Sequence, residues 1–145
     1  MKIEMKDYCK TIRGAEVLKH VSATFTSGNI YGLKGENGCG KTMMMRAVSG
    51  LILPTSGCVE IDGKVLGKDI SFPESIGVLI ENPAFLNAYT GFKNLRFLAD
   101  IQKKVTDDEI REAITAVGLD PNDKRSYRKY SLGMKQRLGI ANAIL

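Results

Sequence analysis

The octapeptide Gly35-Glu36-Asn37-Gly38-Cys39-Gly40-Lys41-Thr42 has the residue types and spacing of a phosphate cradle, G-x-x-x-x-G-K-[ST], the P-loop pattern. Each type answers a need. Glycines let the backbone bend so that several amide N–H groups turn inward onto phosphate oxygens. A helix opening near Lys41 aims the positive end of its dipole at the same anion. Lys41 brings a cation to the β- and γ-phosphates of a nucleotide, and the Thr42 hydroxyl offers a ligand to Mg2+. At Glu36, Asn37 and Cys39 the pattern uses the backbone alone, so the Cys39 thiol needs no catalytic role.

Such a cradle must sit between a strand and a helix, and the flanking sequence predicts both. Residues 29–33 read as a short buried strand. Residues 41–49 read as a helix, with Met44, Ala47, Val48 and Leu51 spaced to share one face. Gly50 suits a left-handed helix end, and Pro54 prevents resumption. Val59-Glu60-Ile61 followed by Asp62-Gly63 predicts a strand entering a hairpin turn. Residues 76–80 form another apolar run, between Pro73 and Pro83, and read as a strand ending at Ile80. Beyond residue 83 the pattern is helical only. Thr106 and Glu109 form a capping box, with Ile110, Ala113, Ile114 and Val117 on one face of the helix and Gly118 closing it. A last helix begins near Ser131, carries Met134, Leu138, Ala141 and Leu145 on one side, and meets the final residue without a stop signal. The expected fold class is α/β, with residues 1–83 strand-rich and bearing the P-loop and residues 84–145 helical. No linker divides them, which suggests one incomplete domain.

Composition excludes other classes. The 145 residues are 43% hydrophobic and 26% charged, ordinary for a globular chain, and the net charge of +5 is scattered, with no basic run longer than two residues. That distribution predicts no nucleic-acid partner. Three cysteines, Cys9, Cys39 and Cys58, lack framework spacing and read as reduced thiols. The N-terminus carries charges where a signal peptide is apolar, and no apolar run reaches the roughly 20 residues of a membrane span.

The sequence around the cradle resembles the ATP-binding subunits of ABC transporters. The resemblance rests on Val17-Leu18-Lys19-His20-Val21-Ser22, Ile30-Tyr31-Gly32-Leu33, Pro54-Thr55-Ser56-Gly57 and Val59-Glu60-Ile61-Asp62-Gly63. It rests above all on Tyr130-Ser131-Leu132-Gly133-Met134-Lys135-Gln136-Arg137, at the place of the L-S-G-G-Q signature. The resemblance implies binding of ATP with Mg2+ and head-to-tail pairing with a second ATP-binding subunit. Ser131 and the Gly133 amide would then touch the γ-phosphate held by the partner. It also implies a membrane permease as partner, met by residues 84–90, and a cytoplasmic location at the membrane through that permease. Two departures stand out. Leu132 and Met134 replace a glycine and the glutamine of the signature, and Glu81 stands where the family usually has a Mg2+-associated Gln. Both resemble exporters of bacitracin and lantibiotic-type peptides. The family's adenine-stacking aromatic falls in register on Ile12, which packs but cannot stack, and Tyr8 is the nearest aromatic.

After the signature the family continues to a strand ending in Asp, a catalytic Glu and a switch His. None of these follows Leu145, so the sequence reads as a fragment lacking the Walker B half, without a catalytic residue and without turnover of its own. The first functional reading is the energising subunit of a membrane exporter, of antimicrobial peptides or drugs. The alternative is a soluble ABC ATPase acting on nucleic acid or the ribosome, which usually shows tandem cassettes, coiled-coil insertions or basic arms.

Overall fold

The computed structural model describes residues 1–145, Gln102 by its backbone only. Alternating apolar and polar residues at the N-terminus form a long hairpin, β1 (Lys2–Ile12) and β2 (Ala15–Thr26), paired antiparallel from Lys2 opposite Thr26 to Ile12 opposite Ala15. The two residues between the strands, Arg13 and Gly14, both have positive φ, 49° and 82°. That is the primed turn whose twist matches that of the strands. Register shifts between Met5 and Lys10 let Tyr8 and the adjacent Cys9 both be buried. β3 (Ser56–Ile61) pairs with the other edge of β1, and β4 (Lys64–Val65) folds back on β3 through the Asp62-Gly63 turn. The sheet is antiparallel, in the order β2-β1-β3-β4.

Helix α1 (Lys41–Val48) packs Ala47 into a core with Met5, Tyr8, Leu18, Val59, Ile61 and Leu66. Each large apolar side chain so buried contributes about 1.5–3 kcal/mol. Tyr8 is fully enclosed, its hydroxyl donates to Ile52 O at 3.1 Å, and burial pushes its phenol up to about 12.

The chain divides into two compact units, Met1–Ile76 and Gly77–Leu145. In the second, α2 (Gly91–Gln102), α3 (Asp107–Ala116) and α4 (Leu132–Ile144) enclose Leu95, Ile110, Ile114, Tyr127, Leu138 and Ala141. The Thr106–Glu109 capping box is formed in both directions, and Gly118 takes φ 73° after α3. Among the described residues no helix is long and apolar enough to cross a membrane.

Three sequence expectations need correction. Residues 29–33 and 76–80 form no strand. Ile30, Tyr31, Leu33, Ile76 and Val78 are exposed, Ile30 completely. A strand exists only through a hydrogen-bonding neighbour, and among the described residues neither segment has one. The third correction is Leu51. It lies beyond the end of α1 and is 56% exposed, because Ser49 caps the helix and Gly50, at φ 77°, turns the chain away before a further turn can carry Leu51 onto the helical face.

Candidate functional site: a phosphate recess in the first unit and a capped signature helix in the second

The P-loop joins the segment after β2 to α1, and its glycines carry the bend. Gly38 has φ 85°, with open space where a side chain would stand. Gly40, the N-cap of α1, has φ 96°, and a Cβ there would lie 2.9 Å from Val17 O and 3.0 Å from Leu18 Cδ2. Only glycine lets the loop pass so close beneath β2. No acidic residue occupies the first turn of α1, so the positive end of its dipole is not neutralised there. Together these residues enclose a recess of about 260 Å³, lined by Val17, Met43 and the loop residues Asn37, Gly38, Gly40, Lys41 and Thr42.

The Lys41 ammonium donates to Gly35 O at 2.9 Å and Glu36 O at 2.7 Å, and lies 3.7 Å from Cys39 Sγ. Those carbonyl oxygens occupy the donors that a phosphate would take, so the cation is already held over the loop. Cys39 is exposed, Cys58 partly buried and Cys9 buried. The donor set suits a magnesium–phosphate ligand. Among the described residues no three acidic, His or Cys side chains gather to hold a metal alone. Mg2+ characteristically takes one or two protein oxygens and completes its shell with phosphate and water. Thr42 offers one such oxygen at the recess.

In the second unit, Ser131 caps α4, its Oγ accepting from Met134 N–H at 3.2 Å. Leu132 and Gly133 are exposed, nothing stands within 4 Å of where a Gly133 side chain would be, and the first turn again lacks acid. The turn before Ser131 is fixed from several sides. The Tyr127 hydroxyl donates to Pro83 O at 2.8 Å, Tyr127 N–H to Tyr89 O at 2.8 Å, and Arg128 N–H to Asn87 O at 3.2 Å. Gln136 Nε2 donates to Asn82 Oδ1 at 2.8 Å. Residues 82–90 are thus bonded to the lead-in of the signature helix. Buried Asn94 holds the same loop from below, accepting from Leu86 N–H and donating to the carbonyls of Leu86 and Thr90. Sequence reading missed Tyr127, Gln136 and Asn94. An Asn on an otherwise apolar helix face was the one available sign of the last.

The structure therefore gathers Gly35, Glu36, Asn37, Gly38, Cys39, Gly40, Lys41 and Thr42 in one loop of the first unit. Ile12 stands 37% exposed at the end of β1 in that unit. Ser131 and Gly133 share one helix end in the second unit, where Glu81 lies in an exposed left-handed turn, φ 63°. Tyr8, enclosed in the core, offers no face to a ligand. Of the apolar residues in the 84–90 loop, Phe85 packs edge-on against Tyr127, while Leu86 and Tyr89 are exposed.

Comparison with known proteins gives a consistent result. The ABC transporter family profile, ABC_tran, matches residues 18–145. The ABC transporter ATP-binding protein YybJ of Bacillus subtilis (strain 168) is 50% identical over 142 residues, covering 98% of this chain and 65% of that protein. The bacitracin transport ATP-binding protein BcrA of Enterococcus faecalis is 37% identical over 144 residues, covering 99% of this chain and 47% of BcrA. This chain thus spans about half to two-thirds of these relatives. The dimeric ADP- and Pi-bound structure of the ATP-binding cassette MJ0796 superposes with a TM-score of 0.83 at 20% identity, covering 98% of this chain and 68% of that one, and shares its fold. The partial P-loop fold, the signature helix and the family match agree: the chain belongs to the ABC transporter family.

Proposed function

We propose that this chain binds ATP with Mg2+ at its P-loop, as the energising subunit of a membrane exporter for antimicrobial peptides or drugs. The observation that carries the reading is the recess itself, roofed by Lys41, floored by Gly38 and Gly40, and set at the unneutralised start of α1. Lys41 exchanges its bonds to Gly35 O and Glu36 O for phosphate oxygens, and the loop amides bind the same anion. Thr42 supplies the protein's oxygen to Mg2+. Mg2+ neutralises phosphate charge.

The second-unit residues act across a subunit pair. Ser131 Oγ and the Gly133 N–H would close over the γ-phosphate held by a second ATP-binding subunit. In that arrangement ATP binding draws two subunits together, and hydrolysis by the whole protein releases them. The permease would meet residues 84–90 at the exposed Leu86 and Tyr89, placing the subunit on the cytoplasmic face of the membrane. The exporter reading draws on the likeness to BcrA, a bacitracin transport protein.

Titration calorimetry tests the binding step. Mg-ATP should bind to the chain and not to Lys41→Ala, which removes the cation over the loop. Equal binding by the two proteins would refute the assignment of the recess.

A further inference from the structure

No basic run is longer than two residues, yet the chain's excess positive charge lies in one place. Residues 124–145 hold six basic residues and no acidic one, a charge of +6, while residues 1–123 hold 15 basic and 16 acidic residues, a charge of −1. Four of the six gather just before α4. Lys124, Arg125, Arg128 and Lys129 flank or belong to the 3-10 turn Tyr127–Lys129, and all four are exposed. Arg125 is neutralised, its Nε and Nη2 donating to the Asp123 carboxylate at 2.8–3.1 Å. The side chains of Lys124, Arg128 and Lys129 make no hydrogen bond or ion pair among the described residues. Like charges held this close repel, so the fold itself gains nothing from the arrangement.

Exposed apolar side chains stand beside these cations. The turn is bonded to the 82–90 loop, Tyr127 N–H donating to Tyr89 O and Arg128 N–H to Asn87 O. On that loop Leu86 and Tyr89 are exposed, and Tyr89 meets the exposed ring of Phe97 edge-on, with centroids 5.0 Å apart. A further cation, Lys93 Nζ, lies 5.6 Å from the centre of the Tyr89 ring. A nucleic acid would answer the cations and leave the rings in water. An anionic bilayer surface answers both, with phosphates for Lys and Arg and an interfacial zone for aromatic rings.

We propose that Lys124, Arg128 and Lys129 bind the phosphates of anionic phospholipid headgroups at a membrane surface, with Phe97 resting at the polar–apolar boundary beside them. In the exporter reading the subunit reaches the membrane through the permease, at Leu86 and Tyr89. The inference rests on that reading for its setting and adds a direct lipid contact next to the permease, one that needs neither permease nor nucleotide.

The test is co-sedimentation of the full 145-residue chain with sucrose-loaded vesicles. The chain should pellet with phosphatidylglycerol vesicles, stay in solution with phosphatidylcholine vesicles, and be released by added salt. Replacing Lys124, Arg128 and Lys129 together by Ala should weaken binding by about a hundredfold, at about fivefold per cation near an anionic surface. These side chains are exposed and unbonded, so the variant loses no contact of the fold. A control variant, Lys19→Ala with Lys64→Ala and Lys68→Ala, removes the same charge from exposed positions of the first unit and should bind like the parent chain. Equal weakening by the two triple variants would reduce the effect to net charge and overturn the proposal. So would equal binding to both kinds of vesicle, or binding to neither. Capture by a DNA duplex at a salt concentration that releases the vesicles would assign the surface to nucleic acid instead and overturn it too. Lys41→Ala separates this idea from the P-loop reading, since it should lose Mg-ATP and keep the vesicles. A chain that binds Mg-ATP but no vesicle ends this proposal and leaves the recess assignment standing.

Discussion

Two glycines of the P-loop share a backbone conformation but differ in their surroundings, so their alanine variants separate strain from collision. At Gly38, φ is 85° and the space beyond Cα is open. Alanine there should cost only the strain of a left-handed residue, about 1–2 kcal/mol. At Gly40, φ is 96°, and an added Cβ lies 2.9 Å from Val17 O and 3.0 Å from Leu18 Cδ2. Neither neighbour yields easily. The carbonyl belongs to the β2 backbone, and Leu18 is 5% exposed in the core. Forcing extra volume against packed groups costs a further 1–3 kcal/mol or so, for a total of about 2–5 kcal/mol. Amide hydrogen exchange of β1 and β2 reads this directly, because it reports the opening free energy of the unit that carries them. Gly38→Ala should lower protection by about 5- to 30-fold and Gly40→Ala by about 30-fold or more, at about 1.4 kcal/mol per tenfold. Equal loss in the two variants would refute the claim that close passage beneath β2 is what demands glycine at 40.

The remaining predictions concern the second unit. Asn94→Ala leaves the N–H and C=O of Leu86 without their partners, which should destabilise the unit by about 2 kcal/mol after water recovers part of the loss, and should raise exchange across residues 86–90. A loss under about 0.5 kcal/mol would contradict the role given to Asn94. The Glu109 carboxylate is held below its usual range, chiefly by the Thr106 backbone N–H and then by the Thr106 hydroxyl. Its stabilisation is therefore present above the unfolded-state pKa and lost as pH falls through the lower folded-state value. Protection in α3 should decline on acidification below the ordinary glutamate range, and less steeply in Glu109→Gln; an unchanged slope would count against the capping box as its source.

How far the sequence was legible depends on how local each signal is. The P-loop, the capping box at Thr106 and the cap at Ser131 were readable because a cap or glycine bend is decided within four or five residues. The Asp62-Gly63 hairpin was readable for the same reason. Residues 29–33 and 76–80 were misread because apolar character marks a segment for burial without supplying the neighbour that buries it. The β1–β2 hairpin escaped notice because Arg13-Gly14 is an atypical primed turn and the register shifts blur the alternation. Nor could the bonds from Tyr127 and Gln136 to residues 82–83 be read, since they join positions 44 and 54 residues apart. Tyr8 shows that an aromatic near a nucleotide motif in sequence can belong wholly to the core.

The central claim is that nucleotide phosphates occupy the recess formed by residues 35–42, and the chain carries its own reporter there. Cys39 is exposed within the loop, 3.7 Å from the Lys41 ammonium, while Cys58 is partly buried and Cys9 buried, both on strands of the sheet. Maleimide labelling followed by mass spectrometry should modify Cys39 before Cys58 and Cys9. Mg-ATP should slow modification of Cys39 alone, and Lys41→Ala should abolish that protection. Cys39 labelling that is indifferent to Mg-ATP, under conditions where ATP is bound, would mean that the nucleotide sits elsewhere and would contradict the account.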